Sequence, residues 1–178
     1  MIVDIESDPR HGLQVRRYHT WRVIQTQSTG EHSAQIARIL ISIWPEAPGH
    51  MLRHCILHDI GEMAGDLPYP VKRNDAALKE RMTINELRCH RDMSAKFMLP
   101  LPVNLTVEEA IIFKFCEYLE MWEHCSQERN MGNRYATVML TRMLLAASTL
   151  LGKLPEDIQK RARQYVELRQ AQEDDYGK

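Results

Sequence analysis

Apolar residues recur along this chain at intervals of three and four, with no alternating run of useful length. Ile36, Ile39, Leu40 and Ile43 form one such row and predict an amphipathic helix from the Ser28-Thr29-Gly30-Glu31 stretch to Trp44. Ser28 stands three residues before Glu31, the form of a capping box. A second helix is predicted from about His50 to Glu62, with Leu52, Cys55, Ile56 and Asp59 on an inward stripe and His54 and His58 beside it. Asp75 to Met98 reads as a long charged helix with Leu78, Met82, Leu87 and Met93 inward, ended by Pro100 and Pro102. Thr106 caps a helix that runs through Trp122. Residues 133 to 151 read as an apolar helix, through Tyr135, Val138, Met139, Met143, Leu144, Ala147, Leu150 and Leu151, with Gly152 as its C-cap. Pro155 opens a last helix to about Gln172, and 173–178 are expected to fray. Residues 1 to 15 have no sustained period. The pattern predicts one compact all-α helical bundle over residues 1–178.

The informative positions are polar residues on apolar rows. His32 lies one turn before Ile36, Asp59 continues the row of Leu52 and Cys55, and Glu117 shares a face with Ala110, Phe113 and Met121. Burying such groups is costly unless each is paired or bound to a cation. An inward His is more often a hydrogen-bonded core residue, and Glu117 has Lys114 within reach as a partner, so each position alone has a plain explanation. Glu120, one turn on, reads as solvated. Together His32, His58, Asp59 and Glu117 come from three helices and form a mixed nitrogen and oxygen set. That set suits a divalent transition metal such as Mn, Fe, Co or Zn, whose bound water becomes a nucleophile near neutral pH. Gly65, Pro68 and Pro70 break the helix after His58-Asp59, and a helix C-terminus favours a cation. Upstream, Arg16-Arg17-Tyr18-His19-Thr20-Trp21-Arg22 combines cations and flat rings. It reads either as a surface turn with a partly buried Trp or as an anion grip, since Arg presents a planar fork to phosphate oxygens and Tyr or Trp can wall a sugar or base.

Composition narrows the classes. A formal net charge of -1 over 178 residues argues against a broad nucleic-acid surface. Apolar runs are too short and too often interrupted to span a membrane. Met1-Ile2-Val3-Asp4-Ile5-Glu6 carries early acids and no basic segment, unlike a signal peptide. Four cysteines without a C-x-x-C pair support neither a zinc finger nor a thioredoxin motif, and they suit a reducing cytoplasm.

The order of these motifs resembles the HD-domain metal-dependent phosphohydrolases, whose ligands run H…HD…D along an all-α fold. Within them, Arg17, Glu31-His32-Ser33, His58-Asp59-Ile60-Gly61-Glu62, Gly65-Asp66-Leu67-Pro68-Tyr69-Pro70-Val71-Lys72 and Lys114-Phe115-Cys116-Glu117 resemble the motifs of bacterial 5′-deoxynucleotidases. They resemble still more the small phage-type enzymes that hydrolyse dATP to deoxyadenosine and triphosphate. The resemblance implies His32, His58 and Asp59 as metal ligands, with Glu117 where the family has Asp. It implies Glu62 as the group assisting the attacking water, Arg17 and Lys72 on phosphate, Tyr18 against the sugar and Asp66 near it. The segment between Glu62 and Gly65-Asp66 is one residue short against the deoxynucleotidases. A base pocket walled by Trp21 with Thr20 or Ile24 is expected, and Arg16, Arg22, Lys79 and Arg81 are candidates for charge beyond the α-phosphate. The expected activity is a dATP triphosphohydrolase dependent on a divalent ion (Co, Mn, Zn, Fe or Mg), with a 5′-deoxynucleotidase or a non-catalytic nucleotide sensor as alternatives. The resemblance also implies a cytoplasmic homo-oligomer, a dimer or a larger even-numbered assembly.

Overall fold

The computed structural model describes residues 8–65 and 74–176, with side chains to residue 172. Its helices are α1 (Pro9–Gly12), α2 (Thr29–Ile43), α3 (Gly49–Leu57), α4 (Ala76–Phe97), α5 (Val107–Asn130), α6 (Ala136–Leu151) and α7 (Glu156–Tyr176), and a 3-10 turn, Ile60–Ala64, follows α3. Among the described residues the sole β-type pairing is an isolated antiparallel bridge between Arg16 and Ser28. None of these helices is long and apolar enough to cross a membrane.

Local chemistry sets the helix starts. Ser28 and Glu31 close a full capping box on α2, as Thr106 and Glu109 do on α5. The Asp75 carboxylate accepts from Leu78 N at the head of α4. At the other end of the chain, α7 continues to Tyr176, past the expected Gln172.

The core gathers around α5. Ile112, Phe115, Cys116, Leu119 and Trp122 are almost fully buried, and they meet Ile36, Ile39, Leu40 and Ile43 of α2 with Met51 and Cys55 of α3. Trp122 lies mid-helix, since α5 runs eight residues beyond it. Cys55, Cys116 and Cys125 are buried as free thiols, and burial pushes Cys55 and Cys125 up to about 12, which keeps them protonated.

Several inward assignments change. Ile56 is exposed because the buried row of α3 runs through Met51 and Cys55. Leu87 is exposed and His90 takes the inward place before Met93. In α6, for which the apolar pattern alone sets no inward face, Ala136, Met139, Leu140 and Ala147 pack inward and Tyr135 and Val138 face outward. The expected helix from His50 to Glu62 stops at Leu57: His58 caps it, and Asp59 takes φ -99 and ψ 4, outside helical geometry. Two glycines explain how the 3-10 turn seats. A Cβ on Gly61 would stand 2.2 Å from the Glu86 carbonyl oxygen of α4, and one on Gly12 would stand 2.4 Å from that of Ile60. The turn is thus clamped between α1 and α4 by backbone contact that any side chain would block.

Candidate metal and phosphate site

The start of α2 fixes the first group. The capping box places His32 in the first turn, its backbone N–H on Ser28 O at 3.0 Å, and the side chain is wholly buried. The end of α3 fixes the second, where His58 N binds His54 O at 2.9 Å and His58 Nδ1 donates to Cys55 O at 3.0 Å. The tight turn then brings Asp59 across. Asp59 Oδ2 lies 3.1 Å from His58 Nε2 and 3.8 Å from His32 Nε2. One ligand atom each from His32, His58 and Asp59 fall within 4.8 Å of one another.

Arg17 reaches the same carboxylate, with Nη1 donating to Asp59 Oδ2 at 2.8 Å. Its strand-like segment is tied to the entry of α2, by Arg17 N on Gln27 O, Thr29 N on Val15 O and Gly30 N on Leu13 O. Next to it Tyr18 adopts φ 59, a left-handed conformation uncommon for a large side chain. The Tyr18 ring stacks on His124 at 4.8 Å, nearly parallel.

The donor set fits a metal ion. His32 Nε2 and His58 Nε2 are both buried without a hydrogen-bond partner. His58 Nε2 is near Asp59 but not aligned on it as a hydrogen bond. The opposite ring nitrogen of each histidine is engaged by the protein: His58 Nδ1 by the Cys55 carbonyl, His32 Nδ1 by the Glu120 carboxylate. That arrangement turns an Nε2 lone pair of each ring toward Asp59, as in a histidine prepared by its outer partners for a metal.

The electrostatics agree. Burial alone would raise Asp59, but His58, Arg17 and His32 hold it well below the usual carboxylate range. Burial pulls His58 down, yet Asp59 outweighs it and the net shift is upward. For His32 burial outweighs Glu120 and the net shift is downward. A divalent ion bound here would compete with protonation of His58 Nε2. Burial opposes the charge on Arg17, but Asp59, Tyr18, Glu62 and Glu120 more than offset it.

The other expected residues divide into groups. Glu62 sits half-buried in the 3-10 turn, its N–H on Asp59 O, with its charge near Arg17. Asp66 and Lys72 lie outside the described residues. Glu117 is not brought into the group of three: its carboxylate takes Lys114 Nζ at 2.7 Å, one turn back on α5. The edge of Phe113 faces the His54 and His58 rings instead, at 4.5 and 5.0 Å between centroids.

Glu120, expected to be solvated, is 2 % exposed. It accepts Gln27 Nε2 at 2.5 Å as well as binding His32. Burial would raise its pKa, but His32, Arg17 and Gln27 lower it, so it is a carboxylate. The sequence did carry a signal: Glu120 follows Phe113 by seven residues on one helical stripe.

Trp21 is half-buried against the core, Thr20 is exposed, and Ile24 is 57 % exposed. Ile24 lines a cavity of about 360 Å³ with Arg22, Val23, Asn133, Arg134 and Tyr135, which includes none of the three metal-ligand candidates. A second cavity, about 350 Å³ and polar, lies on the Glu120 and Gln27 side of His32.

No protein-family model matches this chain, and no curated protein sequence matches it either. Solved structures do, and the fold is that of an HD-domain phosphohydrolase. One of them is the cyanophage S-2L HD phosphohydrolase DatZ, bound to dA and one catalytic Zn2+ ion. It superposes with a TM-score of 0.69 over 96% of this chain and 99% of its own, at 16% identity. At that identity the likeness is one of fold.

Proposed function

We propose that this chain is a metal-dependent deoxynucleotide phosphohydrolase, and that it converts dATP to deoxyadenosine and triphosphate. The observation that carries the reading is the pair of buried, unpartnered imidazole nitrogens of His32 and His58 facing Asp59. The HD-type fold and the nucleoside and zinc ion held by DatZ support it.

His32, His58 and Asp59 would hold the ion. A divalent ion there supplies positive charge against phosphate oxygens and acidifies water. Arg17 binds a phosphate oxygen: one donor is on Asp59, while its Nε is buried and without a partner. Glu62 accepts the proton of the attacking water, from a turn whose backbone is bonded directly to Asp59. A new O–P bond forms at the α-phosphorus, the O5′–P bond breaks, and O5′ departs with a proton. Triphosphate carries the oxygen from water. Tyr18, rigidly stacked on His124, offers a fixed wall for the sugar.

A second reading is a 5′-deoxynucleotidase, which cuts the same bond in a monophosphate. It is favoured by the placement of the extra cations. Arg22 lies over the Tyr135 ring at the separate cavity, and Arg16, Lys79 and Arg81 are exposed. Turnover of the four dNTPs, their ribo counterparts and the dNMPs with several metals, read by phosphorus NMR, separates the readings. Triphosphate from dATP supports the first, and phosphate from dAMP with dATP inert supports the second. Full turnover after verified metal removal refutes both.

A further inference from the structure

The most unusual charged group outside the three candidate ligands is Glu120. It lies in the middle of α5, almost wholly buried, and both of its oxygens are engaged: Oε2 on His32 Nδ1, Oε1 on the Gln27 amide. An ionised carboxylate can only accept hydrogen bonds. A neutral His32 facing it must therefore carry its proton on Nδ1 and present a bare Nε2. That nitrogen is the buried, unpartnered one, 3.8 Å from Asp59 Oδ2.

We infer that Glu120 is a positioning residue that fixes His32 as an Nε2 metal ligand and adds a negative charge directly behind the metal centre. The inference rests on the reading of His32, His58 and Asp59 as the metal group. It deepens that reading, because the positive charge of an ion would be offset from two sides: by Asp59 in front of the imidazole and by Glu120 behind it. Gln27 holds the free end of the carboxylate. Gln27 is itself 8 % exposed and lies on the short backbone pairing that also carries Arg17. The segment that delivers the phosphate-binding arginine thus also orients the carboxylate that orients the ligand.

Removing the charge has a specific consequence. In Glu120→Gln the side chain offers one acceptor and one donor where two acceptors are needed. If its amide nitrogen faces His32, the proton of His32 moves to Nε2 and the ligand is lost. If its oxygen faces His32, the amide of Gln27 must turn over and the charge is still gone. Loss of such an outer partner typically weakens metal binding about 10–100-fold.

The test has two readouts on the full-length protein. Two-bond 1H–15N correlation of the metal-free protein should show His32 protonated on Nδ1. Chelator competition should then show Zn2+ bound about 10–100-fold more weakly in Glu120→Gln and Glu120→Leu than in the parent. The Leu variant should also shift His32 toward the Nε2-protonated form. If Glu120→Leu does not fold, the parent spectrum and the Gln variant decide. A parent His32 protonated on Nε2 overturns the inference, as does Zn2+ affinity within about twofold of the parent in a folded variant. A parent that binds no Zn2+ at all overturns the metal site itself, whereas a parent that binds it as tightly as its Glu120 variants overturns only the role of Glu120.

Discussion

Replacing Gly61 by alanine tests whether backbone contact between the 3-10 turn and α4 positions the site. The added Cβ would stand 2.2 Å from the Glu86 carbonyl oxygen, 2.8 Å from its carbon and 3.0 Å from its Cα, where ordinary contact begins near 3.4 Å. These neighbours are backbone atoms in a 22-residue helix and cannot rotate away. Turn and helix must separate by about 1.2 Å at the closest atom, judged from that shortfall. Overpacking of this kind costs about 1–3 kcal/mol, which for a chain of this length lowers Tm by about 2–12 °C. The separation also displaces Glu62, the next residue, from its position beside Asp59. Gly152→Ala is the matched control, since its Cβ meets nothing within 4 Å and its φ of -70 suits any residue. That variant should be unchanged or gain up to about 1 kcal/mol. Urea and thermal melts of both variants, followed by turnover of dATP at a temperature where both are folded, provide the comparison. Equal stability of Gly61→Ala and the parent, or equal loss in the two variants, refutes the packing argument.

Three further outcomes are expected. Asp59→Asn should lose both metal binding and turnover, measured by metal content after dialysis and by product release, because on the proposed reading the carboxylate that takes Arg17 would also ligate the ion. Glu62→Gln should retain the metal and lower kcat by about two to four decades if it serves in proton transfer, and loss of the metal would show that Glu62 is a ligand. Glu128 is 1 % exposed and accepts Ile24 N, Gln25 N and Asn133 Nδ2. Burial would raise it, but Asn133 and the two backbone amides hold its pKa below the ordinary glutamate value of 4.5. Its stabilisation is therefore fully present above pH 4.5 and lost as the pH falls through the lowered value. Denaturation midpoints of Glu128→Gln should be lower at neutral pH and fall less steeply in acid, and parallel pH profiles would contradict this.

The helix starts were legible because capping is local chemistry: Ser28 with Glu31, Thr106 with Glu109, and Asp75 each act within one turn. His32, His58 and Asp59 were legible as polar residues interrupting apolar rows, and the structure brings these three together. The stop after Leu57 was not legible. His58-Asp59-Ile60-Gly61 continues a helical pattern, and what breaks it is a backbone approach to α4, set by tertiary packing alone. Glu120 was missed for a related reason. A carboxylate is assigned to solvent by default, but α5 is buried around most of its middle. Along Leu119 to Ser126 every residue except the half-buried Met121 is buried, so this part of the helix has no solvated face to hold Glu120. Glu117 shares the face of Phe113 in the sequence pattern, but it is only half-buried and Lys114 partners its carboxylate.

Glu120 belongs to one stripe of α5. Phe113, Glu120, His124 and Glu128 are spaced by seven, four and four residues, which keeps them on one side of a helix. Each meets a different segment at or beside the site. Phe113 lies at the edge of the His58 ring, and Glu120 holds His32. His124 backs Tyr18, and Glu128 takes the backbone of Ile24 and Gln25. The partners come from the end of α3, the start of α2 and the segment that leads into α2. A single helix therefore serves as their common backing. Its register along the bundle sets the spacing between the His32 and His58 rings, Tyr18 and the 22–27 segment together, so a shift of α5 by one residue would disturb all four contacts at once.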